Sequence, residues 1–175
     1  MAHGTILTVD DFVGEWDIPI GTYIDTKLNE YIDQVQEDYL IDLLGYTLYD
    51  AFHTGLEVTQ PASIEQRWQD LRDGQTYGTA PNVYKFKGVK TMLKYFTYYE
   101  YMRYAEVKNT KNGQRSPDGT NSVAAGAIGK SKIRRMYNKG LAIYHDAILF
   151  INDKNSPSEV YPDLLHTKKN PISIV

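Results

Sequence analysis

The chain carries four histidines, His3, His53, His145 and His166, and none stands three or four places from another. That spacing is what puts two ligands on one helix face. His145-Asp146 comes nearest to a metal pair, but adjacent helical residues point in different directions. His53, near a predicted helix end, is better placed to interact with the helix dipole. Asp33, Glu37 and Asp38 lie close together on one predicted helix. Acid–base catalysis needs two carboxyls converging on a pocket that pushes their pKa values apart. These three sit opposite an apolar stripe and form a solvated face. Gly126-Ala127-Ile128-Gly129-Lys130-Ser131 looks like the end of a phosphate loop, yet the first glycine of that motif would fall at Ala124, with no strand before it. A nucleophile elbow and a dinucleotide fingerprint are also missing. The expectation is a protein that is not an enzyme and uses no cofactor and no metal.

One cluster carries more information. Lys130, Lys132, Arg134, Arg135 and Lys139 are expected to open a helix, where cations oppose the macrodipole. An acidic neighbour or phosphates would compensate. An exposed basic face with no partner is the plainer alternative. A DNA-binding module using the 130–139 face is the second functional reading, and a sequence pI of about 5.8 argues against it.

The elements that must position these groups follow from periodicity. Ile24, Leu28, Tyr31, Ile32, Val35, Tyr39, Leu40, Leu43 and Leu44 recur at three- and four-residue steps. They predict a long amphipathic helix over 23–44, capped by Thr22 and stopped by Gly45 in a left-handed conformation. Thr8 is expected to cap one helical turn through Phe12. Thr47 is expected to cap a short helix, Leu48 to His53, ended by Gly55. Ser63 and Gln66 fit a capping box for a short helix ending at Gly74. Residues 73–82 are expected to be a turn-rich loop. A second long helix is predicted from Tyr84 or Lys87 to Lys108, its tyrosines spread over more than one face. Residues 109–129 are expected to form a long loop. A third long helix is predicted from Lys130 to about Asp153, followed by an extended tail, 154–175, punctuated by prolines. The fold class expected is mainly all-α: three long helices plus short ones, in a domain over 1–153.

Composition sets the outer bounds. A chain of 175 residues with 42% hydrophobic and 23% charged residues is long and apolar enough to bury a core. Cysteine is absent, which excludes disulfides and thiolate metal sites. The opening residues lack a basic patch followed by an apolar run, and no stretch approaches 18 uninterrupted apolar residues. Neither a secretory leader nor a membrane span is expected, and synthesis in the cytoplasm follows. Tyrosine (15) far outnumbers phenylalanine (5) and tryptophan (2), a balance suited to half-buried surfaces and interfaces. Charge is segregated. Asp25 to Asp42 sets Asp25, Glu30, Asp33, Glu37, Asp38 and Asp42 against Lys27. Lys85 to Arg115 sets eight cations against Glu100 and Glu106. Such segregation can join neighbouring copies, acidic face to basic face.

Four stretches in this order resemble head–tail connector (adaptor or neck-ring) proteins of tailed bacteriophages, most closely those of Bacteroidetes phages. They are the opening Ile6 to Phe12, the run Glu37 to Phe52 with its Leu43-Leu44-Gly45, the aromatic helix Leu93 to Tyr104, and the last helix with its basic start. The similarity covers about residues 5–153. It implies an all-helical structural virion protein, a ring of commonly twelve copies beneath the portal protein. The ring would surround the DNA channel without sequence specificity and meet other neck or tail proteins. Family members work through contact surfaces, so no catalytic residue carries over. The candidate contacts with subunit, portal or DNA channel are Asp33, Glu37, Lys111, Arg115, Lys130, Lys132, Arg134 and Arg135.

Overall fold

The apolar stripe beginning at Leu28 does what its spacing dictates: Leu28, Ile32, Val35, Leu40, Leu43 and Leu44 are buried on one side of a helix. The computed structural model describes residues 6–13, 16, 22–57, 65–106, 108–110, 113–115, 122–158 and 160–162. For 22–25, 104–106, 108–110, 113–115, 122–130 and 157–158 only the backbone is described. After a 3-10 turn at Val9–Phe12 come α1 (Thr22–Leu44), α2 (Tyr46–Leu56), α3 (Gln66–Asp73), the β1–β2 hairpin (Thr76–Thr79 and Asn82–Lys85) and α4 (Val89–Glu106). A second hairpin, β3–β4 (Lys108–Thr110 and Gly113–Arg115), precedes α5 (Ser122–Ser158). The fold is mainly α-helical, built on three long helices.

Helix α4 lies between α1 and α5. Tyr31 meets Tyr101 and Tyr39 stacks on Phe96, so α1 and α4 run antiparallel. Phe96 meets Tyr137 and Phe86 stacks on Phe150, so α4 and α5 also run antiparallel. Helices α1 and α5 are therefore parallel to each other. The Tyr144 hydroxyl, donating to Asp42 at 2.8 Å, ties them directly. Phe96, Leu40, Phe52, Phe86 and Phe150 are almost wholly shielded from water. Each such side chain contributes about 1.5–3 kcal/mol relative to exposure.

The N-terminal segment is clamped by polar groups. Buried Gln36 of α1 accepts the Ile6 N–H at 2.6 Å and the Leu7 N–H at 3.2 Å. These donors lie outside regular structure, and burying them unpaired would cost about 1–3 kcal/mol each. Leu7, Phe12 and Trp16 fill the core beside them. The expected turn through Phe12 is present. Its Asp11 carboxylate accepts the Thr8 N–H at 3.0 Å, one half of a capping box.

Several boundaries differ from expectation. Gly45 has φ 75° and ψ 159°, a region that only glycine enters without strain. Its N–H closes α1 on the Ile41 carbonyl and its own carbonyl accepts the Tyr49 N–H. One residue thus ends α1 and begins α2, which leaves Thr47 no capping role. Helix α2 also runs past Gly55 to Leu56. A Cβ on Gly55 would lie 2.2 Å from Nε1 of Trp68, so this glycine admits an indole instead of stopping a helix. Helix α3 is capped by Glu65, whose carbonyl accepts the Trp68 N–H, while Ser63 lies outside the described residues. Residues 73–82 are not a loop throughout, because Tyr77 pairs across a hairpin with Tyr84 and packs edge-on against Phe150.

The largest correction concerns α5. It begins at Ser122, so the expected 109–129 loop holds strands β3 and β4 and the first two turns of this helix. At the other end regular helix continues to Asn155, close to the expected end at about Asp153, and Ser156 (φ −113°, ψ 103°), the residue before Pro157, kinks the chain before a last turn to Ser158. The expected tail is likewise not wholly extended. Tyr161 is buried, and Asn155 binds both its N–H and its carbonyl, while 163–175 lie outside the described residues.

The Gly55 contact yields a prediction. Alanine favours a helix interior by about 1 kcal/mol over glycine. Overpacking costs about 1–3 kcal/mol, and Trp68 is held by Phe52, Tyr161 and the Arg67 guanidinium. Gly55→Ala should therefore lower stability, by up to about 2 kcal/mol, as a reduced urea midpoint. An increased midpoint would show that the indole yields freely.

Candidate subunit interface

Of the five cations of the 130–139 run, two lie over aromatic rings of the same chain. Lys132 and Lys139 are seven residues apart, two turns of one face. Their ammonium groups lie 5.6 Å and 5.5 Å from the ring centres of Tyr98 and Tyr95 on α4. Cation–π attraction of this kind contributes about 0.5–1 kcal/mol at partly exposed sites. Arg135, three residues from Lys132 and four from Lys139, borders their face, Arg134 lies further round the helix, and both arginines are exposed. Neither forms an ion pair with the described residues. Lys130 stands in the third turn of α5, not at its start. The run therefore does not oppose the helix dipole, and that reason for expecting a compensating partner falls away.

Three cations of the second long helix find acidic partners within the chain. Lys90 and Lys94, one turn apart on α4, both reach Oδ1 of Asp11, at 3.0 Å and 3.1 Å. Burial alone would raise the Asp11 carboxyl. The Thr8 N–H and the two ammonium groups outweigh it and hold the carboxyl below its ordinary value. Arg103 lies over the Tyr99 ring and reaches Glu100 at 3.4 Å.

The acidic face of α1 stays open. Asp33, Gln34, Glu37 and Asp38 are exposed on the side opposite the apolar stripe. Gln34, Val35, Asp38 and Tyr39 line an open cleft of about 280 Å³ with Glu100 of α4 as its far wall. The Tyr39 hydroxyl donates to Oε1 of Glu100 at 3.2 Å. Burial, then the Glu100 charge, push that phenol far above its ordinary value, so it remains a donor. Stacking on Phe96, with ring centres 4.0 Å apart, fixes the ring that forms the cleft floor.

The two outward faces lie at one height. Tyr39 is level with Phe96 and Glu100 on α4, and Tyr137 on α5 is level with Phe96 and Tyr99. Since α1 and α5 are parallel, Glu37 and Asp38 stand about level with Arg135. Of the remaining candidates, Lys111 lies outside the described residues. Arg115 is on β4 and Lys130 on α5, with only their backbones described. Sequence periodicity did not reveal the cleft or the Asp11 clamp, because both join residues far apart in the chain. The polar Gln36 inside an apolar stripe was the one local sign of the clamp.

Among the described residues, no group of three or more histidine or acidic side chains is placed to hold a metal ion. No helix among them is long and apolar enough to cross a membrane.

The architecture defines a helical protein with charged outer faces on α1 and α5. Residues 40–170 match a family of unknown function (DUF6712), and the chain belongs to that family. The match includes Arg134 and Arg135 and begins beyond Asp33, Glu37 and Asp38. No curated protein and no solved structure matches the chain.

The Asp11 clamp predicts an acid-sensitive limb of stability. A depressed carboxyl stabilises the fold above its unfolded pKa, and that contribution is lost as pH falls through the folded value. Urea midpoints should therefore fall below about pH 4. In Asp11→Asn the fall should be shallower and the neutral-pH midpoint lower. Identical acid limbs in the two proteins would remove Asp11 from this role.

Proposed function

We propose that the chain is a structural subunit of a phage head–tail connector, repeated as a ring between portal and tail around the DNA channel. In this reading the acidic outer face of α1 meets the basic outer face of α5 in the next copy. One observation carries it: the two faces are dissimilar, complementary in charge and level with each other along α4. A contact between two different surfaces of one chain is heterologous, and it closes into a ring when successive copies are related by rotation without rise. With the helices along the ring axis, matched height corresponds to rotation without a climb. The resemblance of Ile6–Phe12, Glu37–Phe52, Leu93–Tyr104 and the last helix to connector subunits supports the same assignment. A virion location follows from it.

The alternative, a DNA-binding module on the 130–139 face, is weakened by the division of its cations. Lys132 and Lys139 lie over tyrosine rings within the chain, and the sequence pI of about 5.8 is not that of a dedicated DNA-binding protein.

The test is assembly on portal protein, followed by particle mass. The wild-type chain should form a closed ring. Arg134→Glu with Arg135→Glu should abolish the ring at ordinary salt while leaving the helical circular dichroism unchanged, since both side chains are exposed. A chain that stays monomeric with portal and binds free DNA with a steep salt dependence would overturn the connector reading.

A further inference from the structure

The geometry points to the cleft between α1 and α4 as the receptor for Arg135 of a second copy of this chain. This rests on the ring reading above and names the contact that would hold the ring together.

The cleft has the chemistry of a guanidinium site. Asp38 supplies a carboxylate from α1 and Glu100 one from α4, and the half-buried Tyr39 ring supplies apolar surface. Asp38 forms no hydrogen bond or ion pair with the described residues. Glu100 accepts from Tyr39 at 3.2 Å and from Arg103 at 3.4 Å, long contacts for charge-assisted bonds. A carboxylate has about four lone-pair positions, so both acids retain acceptor capacity. A planar, weakly hydrated guanidinium can stack on the apolar wall while its N–H groups reach both carboxylates, and an ammonium cannot. At about 280 Å³ the space is large enough for a side chain and too shallow to enclose a larger ligand.

The α5 face supplies the matching group. Of its cations, Lys132 and Lys139 lie over rings within the chain, while Arg134 and Arg135 project outward. Arg135 is about level with Asp38, so a neighbour related by rotation alone would present it at the height of the cleft. Receptor and ligand are on different helices. The contact therefore runs head to tail and leaves one cleft and one arginine free at each step, as a ring requires.

The absence of cysteine makes a cross-linking test clean. One chain carries Gln34→Cys at the cleft rim and another Asn138→Cys, one turn beyond Arg135 on the exposed face. Both are assembled on portal protein and treated with a short bismaleimide. The mixture should give a cross-linked dimer, and each chain alone should give little. Adding Asp38→Arg to the Gln34→Cys chain should cut the yield about tenfold, equivalent to about 1.4 kcal/mol. Adding Arg135→Asp to the other chain should restore it. No cross-link from a mixture whose particle mass still shows a ring would overturn the cleft contact and leave the ring reading standing. Neither cross-link nor ring would overturn both. A cross-link indifferent to the charge changes would also overturn the proposal, because the faces would then be neighbours without this ion pair.

Discussion

The fold depends on α4 being packed on both sides by aromatic side chains. Tyr39, Phe96 and Tyr137 form a continuous line from α1 through α4 to α5. Offset stacking and edge contacts between such rings add about 0.5–1.5 kcal/mol per pair beyond their buried area. The line also sets the heights of the outer helices. Because each ring meets its partner at a fixed level, Asp38 and Arg135 come to lie opposite one another in elevation although 97 positions separate them in the chain. A shift of one helical turn in either packing would move a charged face by about 5.4 Å and destroy that match.

The high tyrosine content gains a physical meaning from this arrangement. Tyr39 and Tyr144 place rings in the core and send their hydroxyls out to Glu100 and Asp42. Tyr95 and Tyr98 offer ring faces to Lys139 and Lys132. Phenylalanine would pack as well at the first two positions but would remove the hydroxyl donor to Asp42 and leave Glu100 with Arg103 alone. Tyrosine here links core to charged surface, so the charged faces are held by the same residues that build the interior. The same economy holds at the N-terminus, where Gln36 and Asp11 anchor a segment whose Leu7 and Phe12 complete the core.

Helices with one apolar stripe were legible in the sequence, because their burial follows a local period. The α1 stripe and the glycine after Leu44 fall where the spacing put them. Less legible was any feature in which a residue serves a distant partner. Gly55 resembles a helix stop and is a seat for Trp68. The turn-rich 73–82 segment contains a strand whose Tyr77 belongs to the α5 face of the core. The first turns of α5 are rich in small residues, Ala124 through Gly129, with little periodic signal, so the helical pattern in the sequence starts only at the first charged residue, Lys130. At the candidate interface the residue types were readable, but the division between lysines on tyrosines and arginines facing outward needed the packing of α4.

That division bears on how charge works in this chain. A cation over an aromatic ring or on Asp11 is positioned by contacts within the monomer and contributes to its packing. Lys90, Lys94, Lys132 and Lys139 are of this kind, all on the surfaces joining α4 to its neighbours. Arg134 and Arg135 are not, and they are the residues whose forked donors suit a carboxylate-lined slot. An exposed ion pair between copies is worth at most about 1 kcal/mol alone. Repetition changes the scale: in a closed ring each copy makes the contact twice, once through each face, and the last contact closes without further loss of translational freedom. In the proposed ring such pairs would set the register of copies that a template holds together, while most of the affinity would come from the template.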